Sequence, residues 1–387
     1  MFQASARSVE YSDPWSIPLT ERLKIMGRSE RKVAYYYEAP NNSTFRYRAY
    51  NMTQVLNSAP DRDISAGYFF ASDMYRVNEV ADLADVLVIC RSGYNSDVNR
   101  LIGAFRVRKK RVLFDVDDLV FDTDHIHLII NTLNQDFKNS EIWDYWFAYV
   151  GRMGQTMRMC DGAITTNQFL AARIAEYAGF PVGVVPNFIN REQLNISNEI
   201  YSNKKSSNFS RNGKVSLGYF SGSPSHQLDY EILVSALEDV LINNPSVDLT
   251  VVGYIDVGSE LKKFGQRITY KPFHDYVNLQ RLIGSVEFNL MPLQRNMFTN
   301  CKSDLKYFEA AIVGTVSIAS PSETYSEAIR DGSNGYISYA HQWSSVINNA
   351  VDNMDKYSLI AENARADAFS KYAWFNQKDI IVESLGF

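Results

Sequence analysis

The sequence predicts an α/β fold of two Rossmann-like domains facing across a cleft, and three observations carry that prediction. Strand-like and helix-like stretches alternate from Val33 to Val185, and the alternation starts again at Val215. Between the two series, Asn195–Lys214 is rich in Ser, Asn and Lys and poor in apolar residues. The 387 residues, 45% hydrophobic and 13% aromatic, suffice for two cores. The expected organisation is an N-terminal extension (1–31), a first domain (32–190), a linker (191–214), a second domain (215–372) and a closing helix (373–387) that returns to the first domain.

In the first series, Val33–Glu38 (VAYYYE) reads as a strand, followed by the turn-rich loop Ala39–Ser43 and a helix holding Arg46 and Arg48. Arginines just past the carboxyl end of a strand can reach a cleft, so Arg46 is a candidate cleft residue. Strands follow at Gly67–Phe70, Val86–Cys90, Arg111–Phe114, Gly162–Thr165 and Val182–Val185, with helical stretches between them. The second series opens with the strand Val215–Tyr219 and the turn Phe220–His226, which feeds a helix with Ser225 as a plausible N-cap. Gly222, Ser223 and His226 of that turn are candidate diphosphate contacts, since free N–H groups at a strand-to-helix turn attract anions. Later strands are Asp248–Gly253, Arg267–Tyr270, Val286–Leu290, Thr315–Ala319 and Tyr336–Tyr339.

The most informative stretch is Asn300–Ser320, NCKSDLKYFEAAIVGTVSIAS. At helical spacing Leu305, Phe308 and Ile312 form one stripe, and Lys302, Lys306 and Glu309 form its neighbour. Gly314 ends the helix and a buried strand follows at once. Two lysines early in a helix at the carboxyl edge of a parallel sheet suit a phosphate. Glu309 is an acceptor for ribose or sugar hydroxyls. The plainer alternative is an amphipathic helix with an exposed Lys306/Glu309 pair.

Composition narrows the function. A formal net charge of −5 argues against a general nucleic-acid binder. No apolar run approaches the roughly 18–20 residues that span a bilayer. The opening MFQASARSVEYSDPW lacks the apolar core of a signal peptide, so a cytoplasmic protein is expected. Cys90, Cys160 and Cys301 are far apart and in no metal-ligand spacing, and His125 and His127 alternate as on a strand, so no metal site is expected from them.

The run KSDLKYFEAAIVGTVSIAS resembles the donor-site segment of nucleotide-sugar glycosyltransferases of the GT-B fold, in the large retaining family 4 (group 1). Glu309 matches the second of that family's paired glutamates, Gly314–Ser320 its tail, and Cys301 stands where the first glutamate would be. The form K-x-x-L-K-Y-x-E is closer to a subgroup of the family. Asn187-Phe188-Ile189-Asn190 resembles the family's turn between the halves, which makes Asn187 a second cleft candidate. The resemblance implies a nucleotide-diphosphate-sugar donor held by Gly222, Ser223, His226, Lys302, Lys306 and Glu309. The base is expected against Tyr270–His274. It further implies a glycan or lipid-linked glycan acceptor and no cofactor. Peripheral association with the inner face of the membrane goes with such acceptors. The subgroup resembles surface-polysaccharide transferases, rhamnosyltransferases among them.

Phe114–Asp122 (FDVDDLVFD) sets Asp115, Asp117, Asp118 and Asp122 just past a strand. In a two-domain cleft, Asp117 and Asp118 are the candidate catalytic residues, accepting or orienting the proton of an acceptor hydroxyl. Two other readings of the cluster stay open: caps for the following helix, and an Asp-x-Asp site for a divalent cation as in GT-A transferases. An epimerase of the same fold and a non-catalytic sugar-nucleotide-binding protein are the remaining alternatives.

Overall fold

The computed structural model describes residues 2, 9–58, 63–210, 213–223 and 226–387. Two six-stranded sheets hold the chain. The first comprises β1 (Arg31–Tyr36), β2 (Ile64–Phe69), β3 (Val86–Cys90), β4 (Arg111–Val116), β5 (Gly162–Thr165) and β6 (Val182–Val184). Its order is β2-β1-β3-β4-β5-β6, all parallel. The second comprises β7 (Val215–Ser221), β8 (Val247–Gly253), β9 (Ile268–Lys271), β10 (Phe288–Met291), β11 (Val316–Ala319) and β12 (Tyr336–Ile337). Its order is β12-β11-β10-β7-β8-β9, again parallel.

Near-continuous apolar runs such as Val86–Cys90 and Val316–Ala319 are wholly buried, as strands covered by helices on both faces must be. In each sheet the winding direction reverses once, between β1 and β3 and between β7 and β10. Such switch points open crevices at the carboxyl ends of the strands.

Several local expectations change. The linker reading of 191–214 gives way to a helix over Arg191–Ser206, capped by Asn190, whose side chain accepts from the Gln193 N–H. Its polar composition hides a buried face of Leu194, Ser197, Ile200 and Lys204. This helix packs so closely on the helix Tyr276–Gly284 that a Cβ at Gly284 would meet Ile200 at 2.5 Å. His125 lies in a single 3₁₀ turn and His127 in the helix Ile126–Thr132, not on a strand. Ser225, read as a cap, lies outside the described residues.

The two domains are tied together. One apolar cluster runs from Val33 and Tyr35 through Phe188, Leu194 and Tyr276 to Phe308 and Tyr372. The N-terminal segment bridges them: Phe2 packs on Phe209 and Tyr357, and Val9 exchanges backbone hydrogen bonds with the Asn278 amide. Trp15 then stacks on Tyr276 of the second domain and meets Phe45 of the first edge-on. At the other end, the helix Lys378–Leu385 lies on the first domain, where Arg111 donates to the Leu385 carbonyl. No helix among the described residues is long and apolar enough to cross a membrane.

Candidate functional site

Both crevices open into one cavity of about 460 Å³ between the sheets, within the usual size of a small-molecule site. The first domain contributes the loop 41–44, Arg46, Tyr47 and Asp117. The second contributes Phe220–Gly222 at the carboxyl end of β7, the segment Phe273-His274, and Lys306 and Glu309. Of the candidate residues, Gly222, Lys306, Glu309, Arg46 and Asp117 line this space; Ser223, His226, Lys302, Asp118 and Asn187 do not.

The decisive helix is shorter than its periodicity suggests. It spans Leu305–Ala311, so Lys302 lies in the turn before it and not in its first turn. Gly314 adopts φ +67°, and a Cβ there would approach Tyr201 to 3.0 Å, which fixes the handover into β11. Lys306 is half-buried against the cavity with its Nζ 5.4 Å from the centre of the Tyr219 ring. It makes no ion pair among the described residues. Burial presses its ammonium down to about 8, against the pull of Asp229 and with the push of Lys302. Next to it, burial and Lys306 hold the His226 imidazole at about 4, although Asp229 accepts from or faces its Nδ1 at 3.0 Å. His226 is therefore neutral near pH 7. The Ser221 hydroxyl donates to the Ser223 carbonyl, fixing the turn after β7.

Glu309 has a different environment. It is buried, and its Oε1 accepts from the Tyr47 hydroxyl and from the Gln193 amide at 3.1 Å. Arg46 pairs with it at 3.5 Å while lying between the rings of Tyr47 and Tyr276. The exposed Lys306/Glu309 pair is overturned: Glu309 is latched to the first domain. Arg46 and Tyr47 reach it from a π-turn, Arg46–Tyr50, which buries five consecutive side chains.

The acidic cluster is already matched by arginines. Asp115 and Arg48, both fully buried, form two hydrogen bonds of 2.7 and 2.8 Å. Burial lifts the Asp115 carboxyl even with Arg48 beside it. Asp117 and Asp118 both pair with Arg91, at 2.9 and 3.0 Å. Arg91 sits at φ +36°, a strained backbone at the first switch point. Burial alone would raise Asp118, but Lys302, 4.0 Å away across the cleft, and Arg91 hold it below the usual carboxylate range. Asn187 joins the domains: it accepts from Arg48 and donates to Ser303.

The sequence reading missed two features. Phe273 and Tyr254, both exposed, stack at 6.0 Å and 25° on one side of the cavity, a flat ledge that only the Tyr270–His274 expectation approached. Tyr47 was passed over because its partner, Glu309, is 262 residues away in the chain.

With this geometry in hand, solved structures superpose over nearly the whole chain. Anabaena HepE, in complex with UDP and glucose, matches with a TM-score of 0.61 at 14% identity, covering 91% of this chain and 98% of that one. The fold is GT-B. Sucrose-phosphate synthase from Thermosynechococcus elongatus (TM-score 0.56, 11% identity, 92% and 97% coverage) and a glycosyltransferase from Rickettsia africae (0.56, 13%, 92% and 98%) share it. No family model and no curated protein sequence matches this chain.

Proposed function

We infer that the protein is a glycosyltransferase that moves a sugar from a nucleoside-diphosphate donor to a hydroxyl of a glycan acceptor. The observation that carries this is Lys306, a cation with no ion-pair partner among the described residues, on the wall of an interdomain cavity beside the turn after β7 and the Phe273/Tyr254 ledge. An aromatic ledge suits a base, and an unneutralised ammonium suits the diphosphate. As the sugar departs, negative charge grows on the leaving diphosphate, and Lys306, with Lys302 behind it, stabilises that charge. The likeness to HepE, whose structure holds UDP and glucose, supports a uridine nucleotide as the first donor to try.

Asp117 faces the same cavity from the first domain and is the group placed to orient an acceptor hydroxyl. Asp118, held low by Lys302 and Arg91, is a weak base and serves as a counter-charge. A retaining course and membership of family 4 belong to this reading through the sequence resemblance alone, and work in the cytoplasm through the composition of the sequence. Independence from metal is supported by the arginines, which already pair with the carboxylates that a cation would need.

Thermal unfolding in the presence of UDP, GDP, dTDP and their glucose conjugates tests the reading. A ligand at about 100 times its dissociation constant adds about 2.7 kcal/mol. At least one diphosphate is expected to raise the midpoint, with EDTA making no difference. Stabilisation by none of them would remove the donor site; stabilisation that EDTA abolishes would return the aspartates to a metal role.

A further inference from the structure

The hairpin of helices Ile126–Thr132 and Ser140–Arg158 forms one lip of the cleft: Asn131 at its tip donates to Gln294 of the second domain. The outer half of its longer helix carries an aromatic run, WDYWFAY, at Trp143–Tyr149. Trp143, Trp146 and Tyr149 are partly buried against the apolar core beneath the helix. Tyr145 is 59% exposed and Phe147 61% exposed.

The rings are ordered among themselves. Tyr145 and Tyr149, one turn apart, lie nearly parallel, with centroids 6.3 Å apart and 18° between planes. Trp146 meets both edge-on and is pinned by its indole N–H, which donates to Gln135 at 2.6 Å. At the inner end the helix meets the loop that holds Arg91: the Tyr94 N–H donates to the Arg152 carbonyl at 2.9 Å, and Arg91 pairs with the cavity-lining Asp117. The rings thus lead from solvent to the acidic end of the cleft.

We propose that this aromatic run is an acceptor subsite that binds the neutral sugar rings of a glycan chain behind the reacting hydroxyl. It rests on the transferase reading and names the acceptor class for it. A pyranose offers one face of C–H bonds, weakly positive, to the negative face of an aromatic ring. Tyr145 and Tyr149 share one stripe of the helix, so the outward ring surface of this pair meets neighbouring sugars of a chain. The flanking charges select this occupant over a lipid surface. Asp136, Glu141 and Asp144 are exposed around the rings against the cations Lys138 and Arg152, so an anionic bilayer finds no net positive charge to hold it. Hydroxyl groups, by contrast, find acceptors in those carboxylates.

The test uses the full chain and the variant Tyr145→Ser, whose exposed position leaves the core intact. Three readouts are taken: binding to a broad array of neutral glycans, co-sedimentation with phosphatidylcholine/phosphatidylglycerol vesicles, and molar mass in solution. UDP affinity is measured in both proteins as the control on the donor reading. Wild-type protein is expected to retain neutral glycans, the variant to lose at least tenfold in that binding, and UDP affinity to stay equal. Retention on vesicles through these rings, a dimer that the variant dissolves, or no glycan binding by a protein that binds UDP each overturns the proposal. Failure of the wild type to bind UDP, with glycan binding intact, sinks the donor reading and leaves this one standing.

Discussion

The two walls of the cleft treat charge in opposite ways. On the first domain, each charged group at the cleft is already answered: Arg48 by Asp115, Arg91 by Asp117 and Asp118, and Arg46 by Glu309 reaching over from the other side. On the second domain, Lys306 projects into the cavity without a carboxylate partner among the described residues. An answered wall is a scaffold. An unanswered cation in a half-buried place is a site waiting for an anion, because its desolvation is offset only when a ligand arrives.

The first way to break that comparison is at its most buried pair. Replacing Arg48 by Met leaves Asp115 without a partner in a place closed to water, and removing one member of a buried pair costs about 3–5 kcal/mol. The urea midpoint of Arg48→Met is expected to fall accordingly. The double variant Arg48→Met/Asp115→Leu is expected to recover most of the loss. A single variant as stable as the wild type would show that the first wall is not held by its ion pairs.

The second targets the latch. Glu309→Gln keeps the shape but removes the charge that answers Arg46, and an unsatisfied buried partner costs about 1–3 kcal/mol. Stability is expected to fall, and affinities for UDP and for UDP-glucose to fall by one common factor as the walls loosen. If stability held and only the sugar conjugate bound less well, Glu309 would act on donor hydroxyls directly and would belong with Lys306.

How much of this was legible in the chain depends on the range of the interactions. The alternation of strand and helix is local, so both sheets were readable, and Gly314 announced its left-handed turn. The helix Arg191–Ser206 was obscured because Asn, Ser and Lys dominate it; its buried face needs the partner helix Tyr276–Gly284 to make sense. Lys306 was readable because its setting, strand to loop to helix, is contiguous. The contacts of Glu309 were not, since Arg46, Tyr47 and Gln193 lie between 116 and 263 positions away in the chain and only the closed cleft unites them. The bridging by Phe2 and Trp15 was hidden for the same reason.

The smallest expected effect is also the sharpest on the unanswered wall. Lys306→Ala is expected to weaken UDP binding about tenfold, equivalent to about 1.4 kcal/mol, with UDP-glucose affected equally since the partner is the diphosphate. The wild type should report the same lysine through pH. A terminal phosphate with a second pKa near 6 is already fully charged above pH 7, whereas the Lys306 ammonium, pressed to about 8, loses its proton between pH 7 and 9 unless a ligand lifts it. UDP affinity is therefore expected to decline over that window in the wild type and to stay flat in Lys306→Ala. Unfolding does not explain such a decline. A lysine lowered from its ordinary 10.5 to about 8 leaves the folded state with fewer bound protons than the unfolded chain in that interval, so its contribution to stability improves as pH rises from 8 to 10.5. Affinity falling while this contribution to stability rises assigns the pH effect to the free cation in the cleft; parallel slopes in wild type and variant would take the diphosphate away from Lys306.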